Sequence, residues 1–164
     1  MRILEVNALD WSYASSMKDL EQLEKAIAIA VDAHRGQKDR YGAPYILHPL
    51  RVMARVGTPI EKVIAILHDV VEDTDWTFSD LKREGFPAMV IEALKCVTKK
   101  HGEAYEDFVG RSASNPLARR VKLADLEDNM DLRRISGIAK EDGPRLQKYV
   151  KAWRTLANGG KTDA

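Results

Sequence analysis

Residues 65–74 read AILHDVVEDT and set His68, Asp69, Glu72 and Asp73 inside an otherwise apolar run. On an ideal helix at ~100° per residue, with His68 at zero, Glu72 falls near ~40°, Asp69 near ~100° and Asp73 near ~140°. Val63, Ile64, Ile66, Leu67, Val70 and Val71 fill the opposite arc, from roughly 160° to 320°. A polar sector of this kind usually faces water and mixes in Lys, Gln and Arg. Here no basic residue between Lys62 and Lys82 offsets Glu72, Asp73 and Asp75. A solvated face and a site for a divalent cation therefore compete as explanations. The second explains the charge imbalance: imidazole and carboxylate donors suit such an ion, and the ion brings the missing positive charge. Two ligands do not close a coordination sphere, so others must come from elsewhere.

Two further segments offer them. Of the four histidines, His34, His48, His68 and His101, the second lies in PYILHPL at a junction between loop and helix. A loop histidine is more often a surface or capping residue. In VKLADLEDNMDL, Lys122, Asp125 and Asn129 recur at i, i+3 and i+7, flanked by Leu123, Ala124 and Leu126. The stripe is either solvated or functional, and an aspartate between Ala124 and Leu126 would be costly to bury without a partner. His48, His68, Asp69 and Asp125 together make a set of two imidazoles and two carboxylates.

The elements that must position these groups read as helices nearly throughout, with no run of period-two alternation. A first helix is expected over Lys18–Arg35, with Leu20, Leu23, Ile27, Ala30 and Val31 on its core face and a stop near Gly36. The loop GQKDRYGAPYILHP follows, then a short helix over 49–56. Thr58 as N-cap, Pro59 at the first position and Glu61 completing a capping box open a helix expected to run unbroken to Thr74. Thr77 with Asp80 opens a short helix that Gly85 closes. Pro87 starts one through Val97, and another covers Glu103–Ser112. Asn115-Pro116 caps a helix through about Leu132, and Pro144 begins the last, with Leu146, Val150, Trp153 and Leu156 at core spacing. No internal repeat or linker divides the chain, so the expectation is a single all-α domain over 1–164.

Composition narrows the function. The 164 residues are 45% hydrophobic and 31% charged, as in an ordinary globular domain. A formal net charge of +1 argues against a nucleic-acid coat or a polybasic membrane binder, so an anionic ligand must be met by local basic groups. The one cysteine, Cys96, sits at a core-facing helical position and permits neither a disulfide framework nor a cysteine-based zinc site within the chain. No apolar stretch reaches ~18 residues, and MRILEVNALDWS has no signal-peptide core, so a cytoplasmic protein is expected.

In order and spacing, GQKDRYGAPYILHPLRV, AILHDVVEDTDWTFSDL, VTKKHGE and VKLADLEDNMDL resemble the hydrolase domain of RelA/SpoT-type alarmone enzymes, a branch of the HD superfamily of metal-dependent phosphohydrolases. The resemblance runs from about residue 26 to residue 132. The segment RLQKYVKAW is similar to its counterpart in the metazoan form. It implies an HD-superfamily helical bundle, free-standing, since no synthetase domain fits in the remaining residues. It also implies one manganese ion on His48, His68, Asp69 and Asp125, and removal of the 3′-pyrophosphate of ppGpp or pppGpp to give GDP or GTP. Glu72 and Asp73 carry the catalytic role. Arg35, Lys38, Arg40, Lys122, Asn129 and Tyr149 meet the nucleotide, with no nucleic-acid or membrane partner. Two departures stand out: family members usually carry a basic residue where this chain has Leu126 and an arginine where it has Asp131. Competing readings are another HD nucleotide phosphohydrolase, acting on adenine alarmones, the 2′-phosphate of NADPH or 5′-mononucleotides, and a catalytically silent nucleotide-binding regulator.

Overall fold

The computed structural model describes residues 8–134, 139, 140 and 142–159. Among the described residues nine α-helices follow one another: α1 Ala8–Ala33, α2 Leu47–Ala54, α3 Pro59–Leu67, α4 Val70–Asp73, α5 Phe78–Arg83, α6 Ala88–Val97, α7 Tyr105–Ser114, α8 Pro116–Asn129 and α9 Asp142–Ala157, with a 3-10 turn at Leu132–Arg134. No β-strand occurs among the described residues; Lys38 and Pro44 form an isolated antiparallel bridge in the α1–α2 loop.

The central helix is α3. Thr58 Oγ1 accepts the Glu61 N–H, the Glu61 side chain accepts the Thr58 N–H in return, and Pro59 fits the first turn. Ile64, Ala65, Ile66 and Leu67 have no solvent exposure, so beyond Glu61 and Lys62 this helix is apolar all round, as a core helix must be. α1, α2, α6 and α8 pack around it and share one apolar cluster. A smaller cluster of Val109, Leu126, Ala152 and Leu156 joins α7, α8 and α9. α8 begins as its sequence indicates: Asn115 Oδ1 accepts the Leu117 and Ala118 N–H groups, and Pro116 follows.

Several expectations need correction. α1 starts ten residues earlier than its apolar periodicity suggests. Its core face carries the expected Ala30 with Ala26 and Ile29, and Leu23 and Ile27 pack partly buried against the cluster as expected, while Leu20 and Val31 are 52% and 41% exposed. In α9 the buried pair is Ala152 and Leu156, with Val150 exposed. Cys96 is partly buried and packs against the larger cluster, the core-facing position expected of it. The Thr58–Thr74 segment is not one helix. It breaks at the histidine–aspartate pair, where Asp69 has φ −99° and ψ −5°, and resumes as α4. His68 Nδ1 donates back to the Ala65 carbonyl, holding a carbonyl that an unbroken helix would have given to Asp69 N–H. The break lets neighbouring side chains 68 and 69 turn toward one point, which ideal helical spacing of ~100° does not allow.

Candidate metal centre and surrounding pocket

Three elements bring the polar groups together. His48 comes from the first turn of α2, His68 and Asp69 from the α3–α4 break, and Asp125 from α8. His48 Nε2 lies 3.1 Å from Asp125 Oδ1 and 3.6 Å from Asp69 Oδ2. His68 Nε2 lies 3.0 Å from Asp69 Oδ2 and 3.7 Å from Asp125 Oδ1. Donor atoms of His48, His68 and Asp125 all fall within 4.8 Å of one another, and all three residues are buried. Ligands about 2.1 Å from a common ion stand roughly 3.0–3.4 Å apart, close to these separations.

The tautomers point the same way. His68 Nδ1 is 2.7 Å from the Ala65 carbonyl, which can only accept, so this nitrogen carries the proton. His48 Nδ1 is 2.7 Å from a carboxylate oxygen of Asp128 and is protonated for the same reason. Both Nε2 atoms then turn their lone pairs to the shared point, as metal-ligating imidazoles do. His68 Nε2 is buried and has no hydrogen-bond partner. Electrostatics agree. Burial raises the Asp125 and Asp69 carboxyls, but Lys122, His48 and His68 outweigh it and hold both well below the ordinary range. Burial also disfavours charged imidazoles, yet the surrounding carboxylates raise His48 and His68. The cluster attracts positive charge between its Nε2 atoms, and a divalent metal fits that demand.

Glu72 and Asp73 stand beside this centre, on the exposed side. Glu72 Oε2 accepts the backbone N–H of Lys99 at 2.7 Å. Asp73 Oδ2 is 3.1 Å from the Tyr45 hydroxyl, which also reaches Asp69 Oδ2 at 2.6 Å. Burial and the nearby Asp69 charge push both carboxyls above their usual values. Raised carboxyls next to a metal centre are suited to proton transfer.

All of this opens into a pocket of about 340 Å³. Lys38, Arg40, Lys122, Arg134 and Arg145 supply positive charge to its wall, and Tyr41, Phe108 and Tyr149 supply ring surface. Among the residues singled out in the sequence, Lys38, Arg40, Lys122, Asn129 and Tyr149 line it. Arg35 does not: its side chain is 73% exposed and pairs with Asp32. Lys122 Nζ and Asn129 Nδ2 donate to the two oxygens of Asp125, each at 2.6 Å, so both fix the orientation of this candidate ligand.

Sequence reasoning missed four participants. Asp128 has no exposed side-chain surface, and besides His48 it accepts from Arg51 Nε at 2.8 Å and from Arg134. Its position three residues after Asp125 on one helix was a usable signal. Tyr45, three residues before His48, was equally legible. Arg134 and Arg145 carried no signal, because the chain beyond α8 brings them to the pocket: Arg145 donates to the Tyr41 hydroxyl and to buried Asp142. The two departures from the family pattern also resolve. Leu126 faces the α7–α9 cluster, away from the pocket. Asp131 lines the pocket, but Arg133 and Arg55 neutralise it and hold its carboxyl low.

No protein-family profile matches the chain. Among curated proteins, it is 35% identical over 122 residues to the guanosine-3′,5′-bis(diphosphate) 3′-pyrophosphohydrolase of Aquifex aeolicus, which covers 67% of this chain and 17% of that protein. It is 39% identical over 152 residues to a GTP pyrophosphokinase of Streptomyces coelicolor, covering 85% of this chain and 18% of that one. The Escherichia coli bifunctional (p)ppGpp synthase/hydrolase SpoT is 34% identical over 113 residues, 66% of this chain and 16% of SpoT. The chain thus spans less than a fifth of the length of these relatives. A solved structure of a metazoan orthologue of SpoT that hydrolyses ppGpp superimposes with a TM-score of 0.67 at 27% identity, covering 87% of this chain and 88% of that one. In sequence, in all-helical fold and in the constellation at its centre, the chain belongs to the SpoT-like HD family.

Proposed function

We propose that this domain hydrolyses the 3′-pyrophosphate of ppGpp or pppGpp, yielding GDP or GTP and pyrophosphate, with one manganese ion on His48, His68, Asp69 and Asp125. One observation carries the reading. Three candidate metal donors, His48, Asp69 and Asp125, line one pocket together with two carboxyls of raised proton affinity and five cationic side chains, and the fourth, His68, lies 3.0 Å from Asp69. The relatives named for this hydrolysis supply the substrate class.

When bound, a divalent ion supplies Lewis acidity: it makes water a stronger acid and offsets charge growing on phosphoryl oxygens. The chain supplies the rest. Of Glu72 and Asp73, one takes the proton from the attacking water and the other orients it, each carboxylate held in place by a single donor, the Lys99 N–H or the Tyr45 hydroxyl. Lys38, Arg40, Arg134 and Arg145 bind the phosphates with charge-assisted hydrogen bonds. Tyr149, whose ring has the Arg145 guanidinium 5.7 Å from its centroid, lies against the nucleotide. Among the described residues no helix is long and apolar enough to cross a membrane.

The test is a substrate panel of ppGpp, pppGpp, ppApp, NADPH and 5′-mononucleotides, assayed with manganese and resolved by chromatography. Pyrophosphate released from ppGpp well above the others supports the reading. Orthophosphate from 5′-mononucleotides, with the alarmones intact, would move the protein to another branch of the HD superfamily.

A further inference from the structure

We infer that Arg111, together with Glu103, is a positioning residue for Glu72, acting through the Thr98–Lys99 peptide group; this rests on the catalytic role assigned to Glu72 above. The peptide unit is planar and trans, so its carbonyl and N–H point in opposite directions. On one side Arg111 Nη2 donates to the Thr98 carbonyl at 2.9 Å; on the other the Lys99 N–H donates to Glu72 Oε2 at 2.7 Å. A guanidinium on the carbonyl polarises the amide, which strengthens the bond that its N–H makes to the carboxylate.

The clamp is built rather than incidental. Arg111, on α7, makes four hydrogen bonds: Nε and Nη2 to Glu103 at 2.9 and 2.6 Å, Nη2 to Thr98, and Nη1 to the Lys95 carbonyl at the end of α6. Glu103 also accepts the Lys100 N–H at 2.9 Å. The groups on either side of the Lys99 N–H are thus fixed by one ion pair whose side chains are only 20% and 12% exposed. Glu72 lies on the exposed face of α4, a helix of only four residues, and no side chain donates to its carboxylate among the described residues. Its orientation is set by the α6–α7 loop. Lysine cannot replace Arg111, since a single ammonium does not span the Glu103 carboxylate, Lys95 O and Thr98 O.

The test compares Arg111→Lys and Arg111→Ala in the wild-type and Glu72→Gln backgrounds, using the full chain with manganese and ppGpp. In the wild-type background kcat should fall about 10-fold, with KM and bound manganese within about twofold, the scale expected when a catalytic group is misplaced. In the Glu72→Gln background the same changes should cost less than about twofold, because the group they position is gone. Equal losses in both backgrounds would overturn the inference and leave Arg111 a general support of the fold. A second readout needs no activity: the Lys99 amide resonance should move in Arg111→Lys and in Glu72→Gln, and indifference to both would overturn the clamp. If Glu72→Gln leaves kcat intact, the base assignment falls, and the amide response alone upholds or overturns the clamp.

Discussion

Asp128 Oδ2 accepts a hydrogen bond from His48 Nδ1 at 2.7 Å, across 80 residues of sequence and from the same helix that carries Asp125. One turn of α8 thus supplies a candidate metal donor and the group that orients another. Asp128 would be an expensive buried charge on its own. Arg51, Arg55 and Arg134 surround it, and with His48 they outweigh burial and keep its carboxyl low.

Asp128→Asn should therefore weaken metal binding by roughly 10- to 100-fold while the fold survives, the usual effect of losing the partner of a ligating histidine. Titration of manganese into the apo variant, followed by circular dichroism, checks both halves. Unchanged affinity would show that the His48 ring is held by packing alone.

Asp69→Ala and Asp125→Ala should abolish stoichiometric metal binding, as counted by elemental analysis of the purified protein. Chelation of the wild-type protein should lower its melting temperature, since a ligand that binds only the folded state stabilises it. In Asp125→Ala that chelator effect should vanish. A retained ion in Asp69→Ala would remove this residue from the ligand set.

Glu72→Gln and Asp73→Asn should leave the ion in place and lower turnover by roughly 10²-fold, the loss expected for a general base. The pH dependence follows from their raised carboxyls. In the metal-free protein the Glu72 and Asp73 carboxyl resonances should therefore titrate above those of a solvent-exposed carboxylate. Because the base acts when ionised, activity at saturating metal should fall on the acid side as it takes up a proton. Titration of both carboxyls at the ordinary value in the metal-free protein would refute the burial account.

The Glu103–Arg111 pair predicts an acid-stability signature. Hydrogen bonding from Arg111 holds the Glu103 carboxyl at about 2, against an ordinary 4.5. A depressed folded-state value means the stabilisation is complete above the ordinary value and is lost as pH falls from about 4.5 toward about 2. Glu103→Gln should cost about 1 kcal/mol at neutral pH, a modest figure for a pair near solvent, and the cost should vanish at low pH. Urea unfolding at pH 7 and pH 2.5 checks it. An equal deficit at both would refute the ionic account.

What the sequence determined by itself was local: where the side-chain-capped helices begin, and which residues could bind a metal. Thr58-Pro59 with Glu61, Thr77 with Asp80 and Asn115-Pro116 satisfy orphan helical N–H groups through neighbours within three residues, so they were legible without a partner. The uncompensated acids of AILHDVVEDT pointed to a cation because charge imbalance is a property of composition along one segment, and the aspartate of VKLAD, between Ala124 and Leu126, pointed to a partner because a buried carboxylate needs one. Tertiary structure decided the rest. The helical break at His68–Asp69 pays off only when α2 and α8 bring His48 and Asp125 to the same point. The burial of Asp128 depends on arginines from α2 and from beyond α8, and the approach of Arg145 on the placing of α9. Leu20, Val31 and Val150 carried the right period for a core, yet they lie exposed, because close packing chose the smaller Ala26, Ala30 and Ala152. Helical periodicity names the candidates for a face; the shape of the opposing helix chooses among them.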